Sequence, residues 1–260
     1  MPTHPMTADP GYMDAARAEP FFINLKQHIL DQLDLAPGMH VLDLGCGTGE
    51  DVAAMAEQVQ PTGVAMGLDR STDMIGLATR RFASRYPNVV LHMGDAHRLP
   101  YADGSISACR TERTLQHVTD PAQVVAEVRR VLRPGGLFVA AEPDWGTSLV
   151  TPDWNYLARR VLDHWTTFNQ NPTVGRTLPA LLRQSGFDVR DVEGRTVVYR
   201  TFNDANRRFP LQRAVTNAAA HGSITHREAD AWLGKLRHAD QIGTFMFAVT
   251  IFIVTARHAR

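Results

Sequence analysis

The segment Val41–Asp51, VLDLGCGTGED, is an apolar run that breaks into glycines at positions 45, 47 and 49. Glycines at the end of a buried strand let the chain turn sharply into a helix and let a ligand come against backbone amides. A strand–turn–helix of this kind opens an α/β sheet rather than a bundle or a sandwich.

The rest of the chain keeps that rhythm. The stripe Phe21, Phe22, Leu25, Ile29 and Leu33 predicts a first helix, ended by Ala36-Pro37-Gly38. HVLDLG predicts a strand and Asp51–Gln60 a helix; VAMGLD is a second strand, after which Ser71 is placed to cap a helix that closes at Pro87-Asn88. VVLHMGD and SISACR predict two more strands. Asp120-Pro121 starts a helix with Val124, Val128, Val131 and Leu132 inward, RPGG stops it, and LFVAAEPD is the fifth strand. Such alternation predicts a doubly wound parallel sheet with its ligand at the C-terminal ends of the strands.

After Asp144 the pattern changes. Helices are predicted over Trp154–Phe168 and over VGRTLPALLRQSGF, then strands in FDVRDVEGRTVVYR and FMFAVTIFIVTARH. Between those strands lie about 40 mostly helical residues, Asn203–Gly243. Residues 145–186 and 203–243 are expected to form helical lid elements over the rim. The polar, proline-containing first 20 residues are expected to be a flexible segment, and 21–260 a single domain.

The glycine spacing narrows the ligand. A dinucleotide fingerprint runs G-x-G-x-x-G, whereas here the third glycine's place holds Glu50, a carboxylate that would face a pyrophosphate at the helix N-terminus. No G-K-[ST] phosphate loop follows either. Asp69, at the end of the second strand, is suited to the two hydroxyls of a ribose. Asp95 and the amide of Ala96, after the third strand, suit the amine and ring nitrogen of an adenine. A ribose and an adenine without pyrophosphate describe S-adenosylmethionine.

The remaining composition fits a small-molecule enzyme. Lys+Arg and Asp+Glu are equal at 27 each, so there is no bulk basic footprint for nucleic acid. Cys46 and Cys109 are too few for a disulfide framework or a zinc site. The apolar run Phe245–Ala256 is too short to cross a bilayer, which takes about 20 residues, and the N-terminus has no signal-peptide pattern. The expectation is a cytoplasmic protein, monomer or homodimer, with no nucleic-acid or membrane partner.

VLDLGCGTGED, GLDRSTDMI, GDAHRLPY, RTERTLQHV and VLRPGGLFVAAEPDW, in this order, resemble the successive motifs of class I S-adenosylmethionine-dependent methyltransferases. The nearest subgroup is similar to ubiquinone/menaquinone-biosynthesis C-methyltransferases and to small-molecule methyltransferases of bacterial secondary metabolism. The resemblance is strong over 21–144 and weak in the last strand. It implies a Rossmann-like seven-stranded sheet with its last strand antiparallel. It further implies that Asp43, Gly45, Cys46, Gly47 and Gly49 flank the methionine moiety, with Asp69 and Arg70 by the ribose. Met74, Gly94, Asp95 and Ala96 would lie by the adenine, and Thr111, Gln116 and His117 beneath the sulfonium. Tyr12 and the first helix would close over the cofactor.

Methyl transfer from a sulfonium needs alignment and exclusion of water, and a general base only for a protonated acceptor. On the rim, Asp144, His117 and His164 are the candidates for that role. Glu142 stands beside them, Trp145 could form an apolar wall and Arg176 could meet an anionic substrate. His221 and His226 receive no role. CRTERTLQ stands where amide and base-amine methylases carry Asn/Asp-Pro-Pro-Tyr, and no carboxylate cluster suggests a metal. The same motifs would serve a non-methylating enzyme on this scaffold, such as a cyclase using the sulfonium charge.

Overall fold

The structure, a computed structural model, describes residues 19–152 and 156–259. Tyr12 and the remainder of the expected N-terminal segment through residue 18 lie outside these, as do Trp154 and its immediate neighbours.

Seven strands form one sheet in the order β3-β2-β1-β4-β5-β7-β6. Strands β1 (His40–Leu44), β2 (Val64–Asp69), β3 (Val89–Met93), β4 (Ile106–Glu112) and β5 (Leu132–Thr151) pair in parallel. β7 (Met246–His258) inserts antiparallel between β5 and β6 (Phe187–Tyr199). The expected Rossmann-like sheet with an antiparallel last strand is what forms.

Both faces are covered, as a parallel sheet requires. Alternation divides β1: Val41 packs towards α1 (Pro20–Gln32) and α2 (Glu50–Val59), and Leu42 and Leu44 towards α4 (Pro121–Val131) and α6 (Val174–Gln184). The helix starts follow local chemistry. Ser71 Oγ accepts from Met74 N at the head of α3 (Thr72–Phe82), and Asp120 Oδ1 accepts from the amides of Ala122 and Gln123. Pro121, which has no N–H to leave unpaired, occupies the first turn of α4.

The segment expected to start the first helical element at 145 begins instead as strand. Residues 145–151 do not leave the sheet: after an irregularity past Asp144, β5 continues, pairing Leu149, Val150 and Thr151 with Ala248, Phe247 and Met246. Val197 and Tyr199 of β6 extend alongside. On these extensions sit α5 (Tyr156–Thr166), α7 (Phe202–Arg208), α8 (Leu211–Ala220) and α9 (His226–Gln241), enclosing a second core around Trp165, Phe209, Trp232 and Phe247. These helices are thus built on extensions of the sheet. Glu19 ties them to α1 by accepting from Tyr199 Oη and Arg208 Nε.

Candidate functional site

Where β1 ends, Gly45, Gly47 and Gly49 all have positive φ, and the amides of Gly45 and Cys46 donate to Leu68 O of β2. Gly45 is fixed by space as well as conformation, since a Cβ there would lie 2.1 Å from Thr114 Oγ1. Asp69 holds the loop from the adjacent strand end: its Oδ2 accepts from Gly47 N and its Oδ1 from Ser71 N, each at 2.9 Å. Each oxygen keeps acceptor capacity for a ribose hydroxyl. Glu50 starts α2 and pairs with Arg81 and Thr48, so its charge is partly neutralised within the protein.

Under the loop, charges meet in a cavity of about 40 Å³. Arg110, fully buried in β4, sits across from Asp43 in the strand register. Its Nη1 is 2.6 Å from Asp51 Oδ2 and 3.7 Å from Asp43 Oδ2, and its Nη2 donates to Glu112 Oε2 at 2.8 Å. Lys26 reaches down from α1 to Asp51 and to Glu112 Oε2 (2.9 Å). Arg113 Nε donates to Glu112 Oε1 at 3.0 Å while its guanidinium lies over the Phe22 ring. Burial would raise all three acids, but Arg110 and Lys26 hold Asp51 far below the usual carboxylate range, and Lys26, Arg113 and Arg110 hold Glu112 at about 2. Asp43 is the least neutralised: burial outweighs its distant Arg110 and pushes it up to about 6. A buried carboxylate that lines a cavity and shares its nearest cation with a closer acid suits a ligand that brings another.

The next strand ends continue the groove. Met74 is buried at the start of α3, Arg70 is exposed beside Asp69, and Gly94 donates its amide to Asp69 O. Asp95 is largely exposed, and its Oδ1 accepts from His97 N (2.9 Å) and meets His97 Nδ1 (2.6 Å); these contacts hold it below the usual carboxylate range. Ala96 is half-buried between the two.

The rim segment after β4 is bound on every side. Thr111 is buried and its Oγ1 donates to Leu44 O, so this side chain ties β4 to β1 rather than facing the rim. Arg113 takes a positive φ, and the chain then turns through the short 3-10 helix Leu115–His117. Gln116 is buried; its Oε1 accepts from Trp145 Nε1 at 2.8 Å and its carbonyl accepts from Asn171 N. His117 is half-buried and ends that turn.

The acid–base candidates separate. Asp144 is buried and engaged by Arg176, which spans both carboxylate oxygens, and by Gly146 N on Oδ1. The two residues considered for different substrate roles therefore meet each other as an ion pair. His164 lies on α5 in the second core's helical layer: its Nδ1 is 3.1 Å from Ser223 Oγ, and its ring packs on Phe168 and His221. Burial and His221 hold it below the usual imidazole range. Trp145 stacks on Trp165 and meets Phe209 edge-on.

Sequence reasoning missed Lys26, Asp51, Arg110, Glu112, Arg113 and His97. A signal existed for the β4 set, because Arg110, Glu112 and Arg113 put three charges at the end of an otherwise buried strand. Lys26 is one of only two lysines in the chain. Among the described residues no group of three or more His, Cys, Asp or Glu is placed to hold a metal ion, and no helix is long and apolar enough to cross a membrane.

Comparison with known proteins follows this geometry. Residues 35–192 match the model of a methyltransferase domain family. A 37.1 kDa protein of transposon TN4556 from Streptomyces fradiae is 41% identical over 246 residues, covering 94% of this chain and 68% of that one. Demethylmenaquinone methyltransferase of Lactiplantibacillus plantarum is 34% identical over 142 residues, 53% of this chain and 59% of the enzyme, so the match spans little more than half of that relative. In fold, the chain superposes on phosphoethanolamine N-methyltransferase 2 of Haemonchus contortus, solved with S-adenosylhomocysteine, with a TM-score of 0.62 at 17% identity, over 96% of this chain and 56% of that one. The chain belongs to the methyltransferase-domain family, and its cofactor is S-adenosylmethionine.

Proposed function

We propose that this member of the methyltransferase-domain family methylates a small-molecule acceptor held between the rim segment 114–117 and the lid. The observation that carries the reading is Asp43. It is a buried acid whose nearest cation, Arg110 Nη1, stands 3.7 Å away and is held more closely by Asp51, beside a loop whose glycine at 45 leaves no room for a side chain, and Asp69 and Asp95 follow at the ends of the next two strands. These residues fit the cofactor: Asp43 would meet its ammonium, the loop amides its amino-acid half, Asp69 the ribose, and Asp95 with Ala96 the adenine, and Met74, Gly94 and Arg70 would border the nucleoside.

When bound, the cofactor supplies a methyl group already activated on a sulfonium. The protein's part is to orient the acceptor and exclude water. Gln116, Trp145 and Asn171 are hydrogen-bonded or packed into one wall at that end of the site, and the Trp165 and Phe209 rings extend it into the lid. With Asp144 paired to Arg176 and His164 turned to Ser223, His117 is the sequence-chosen acid–base candidate that stays at the rim segment. An acceptor that arrives already nucleophilic needs none of them. The similarity to demethylmenaquinone methyltransferase supports a quinol-type or secondary-metabolite acceptor.

The test is incubation with S-adenosylmethionine and a panel of phenolic, quinol and amine acceptors, with S-adenosylhomocysteine measured as product. Formation of S-adenosylhomocysteine together with a methylated acceptor supports transfer. A product formed without S-adenosylhomocysteine points instead to the non-methylating use of the cofactor. Calorimetry that finds NAD binding and no S-adenosylmethionine binding would overturn the cofactor assignment.

A further inference from the structure

Glu142 is fully buried on β5, yet among the described residues no lysine or arginine pairs with it. Its partners are three successive backbone amides: Oε1 accepts from Thr114 N (2.8 Å) and Leu115 N (2.7 Å), and Oε2 from Gln116 N (3.3 Å). The positive φ of Arg113 turns the chain so that these amides converge on one side. Three converging donors need two acceptor oxygens. A glutamine would offer one oxygen and set an NH2 donor against the third amide, so the arrangement selects a carboxylate.

The held segment has contacts on both sides. Towards the cofactor, Thr114 packs against Gly45 so closely that no side chain fits between them, and its Oγ1 lies within hydrogen-bonding distance of Leu44 O. Towards the lid, Gln116 accepts from Trp145 Nε1. Asn171, from the turn before α6, donates its backbone amide to Gln116 O and its side-chain amide to Leu115 O and Val118 O. Glu142 is the one side chain that takes all three amides of this clasp.

We propose that Glu142 is a positioning residue for the transfer: from within the core its ionised carboxylate sets the Thr114–Gln116 segment, and so couples the cofactor seat at Gly45 to the lid contact at Trp145. The inference rests on the methyltransferase reading for its purpose, not for its geometry.

Protonation is the natural handle on it. Burial pushes Glu142 up to about 7 against the pull of the three amides, and the neighbouring Glu112 acts in the same direction. Glu112 of β4 stands in register with Ala141, the residue before it; Asp144, two residues along β5, is neutralised by Arg176 of α6, and Phe252 lies opposite on β7. Because the folded value lies above the usual carboxylate range, Glu142 is ionised and the clasp is held above that pH. It weakens as the pH falls through 7, when an O–H replaces an acceptor facing an amide.

The test is hydrogen exchange of the Thr114, Leu115 and Gln116 amides in the full chain from pH 5.5 to 8.5, corrected for intrinsic rates, with tryptophan fluorescence and S-adenosylhomocysteine titration alongside. In the wild type, protection at these amides should fall about tenfold from pH 8 to pH 6 while the β1 amides stay protected. Glu142→Gln should show lower, pH-independent protection and weaker S-adenosylhomocysteine binding at pH 8. It keeps the side-chain volume; a melting profile like the wild type's shows that it folds, and if it does not fold the wild-type pH profile alone decides. Wild-type protection that does not change with pH, or Glu142→Gln protection equal to wild type at pH 8, overturns the role of Glu142 and leaves the methyltransferase reading standing. A wild type that shows the exchange profile but does not bind S-adenosylhomocysteine overturns both.

Discussion

A Cβ added to Gly45 would stand 2.1 Å from Thr114 Oγ1 and 2.7 Å from its Cγ2. The turn after β1 and the turn after β4 therefore touch backbone against side chain, which makes them one surface rather than two loops. Gly45→Ala also places a side chain at a φ of +78°, a region costing an ordinary residue about 1–2 kcal/mol. The expected outcome is a loss of roughly 2 kcal/mol or more in chemical denaturation, clash and strain together, with cofactor binding lost by calorimetry. Thr114→Ala in the same chain should recover only part, because it relieves the clash and not the strain.

Asp69 holds the loop with both carboxylate oxygens, Gly47 N on one and Ser71 N on the other, and the same carboxylate is the one proposed for the ribose. Asp69→Ala removes charge-assisted hydrogen bonds and should weaken S-adenosylhomocysteine binding by roughly 1–3 kcal/mol. Titration calorimetry reads this directly, and an unchanged affinity would refute the ribose assignment.

Asp144 and Arg176 form an unequal pair: the acid is buried, and half of the arginine side chain is exposed. Removing Arg176 strands a charge in the core, whereas removing Asp144 leaves an arginine that can turn to water. Arg176→Ala is expected to cost about 1–2 kcal/mol in urea unfolding, reduced by the pair's exposed side, and Asp144→Ala less. The reverse order would show that the pair is not what holds Asp144.

Asp43 gives a pH-dependent prediction. Its folded value, pushed up to about 6 by burial, lies above the usual carboxylate range. The folded state thus keeps a proton that the unfolded chain has released, and this residue's contribution to stability declines as pH rises towards and through 6. Asp43→Asn should therefore match or exceed wild-type stability at pH 8, by up to roughly 1–3 kcal/mol, with the advantage shrinking at pH 4–5. The same variant should bind S-adenosylmethionine more weakly. Melting curves at the two pH values check the first expectation and calorimetry the second; a variant less stable at pH 8 than the wild type would contradict the account of Asp43 as an under-neutralised charge.

Much of this was legible before any coordinates. Ser71 and Asp120-Pro121 start their helices through contacts within three residues, so their roles can be read locally. The strand ends, with their glycines and acids, follow from periodicity and turn chemistry. The continuation of β5 was not legible, because GTSLVT is too polar and short to read as strand. It becomes strand only by pairing with β7, about 100 residues later in the chain. Asp144, His164 and Arg176 follow one another at intervals of 20 and 12 positions along the chain, and which of them meet is set by how α5 and α6 pack on the sheet.

The sequence by itself determined the architecture and the kind of ligand, since alternation of strand and helix, glycine spacing and acids at successive strand ends act over a few residues each. Tertiary structure alone decided which charges neutralise which. Lys26 reaches Glu112 across 86 positions and Glu142 reaches Thr114 across 28. Electrostatic energy depends on distance and burial in three dimensions, and neither is encoded in the order of residues until the sheet brings the strand ends together.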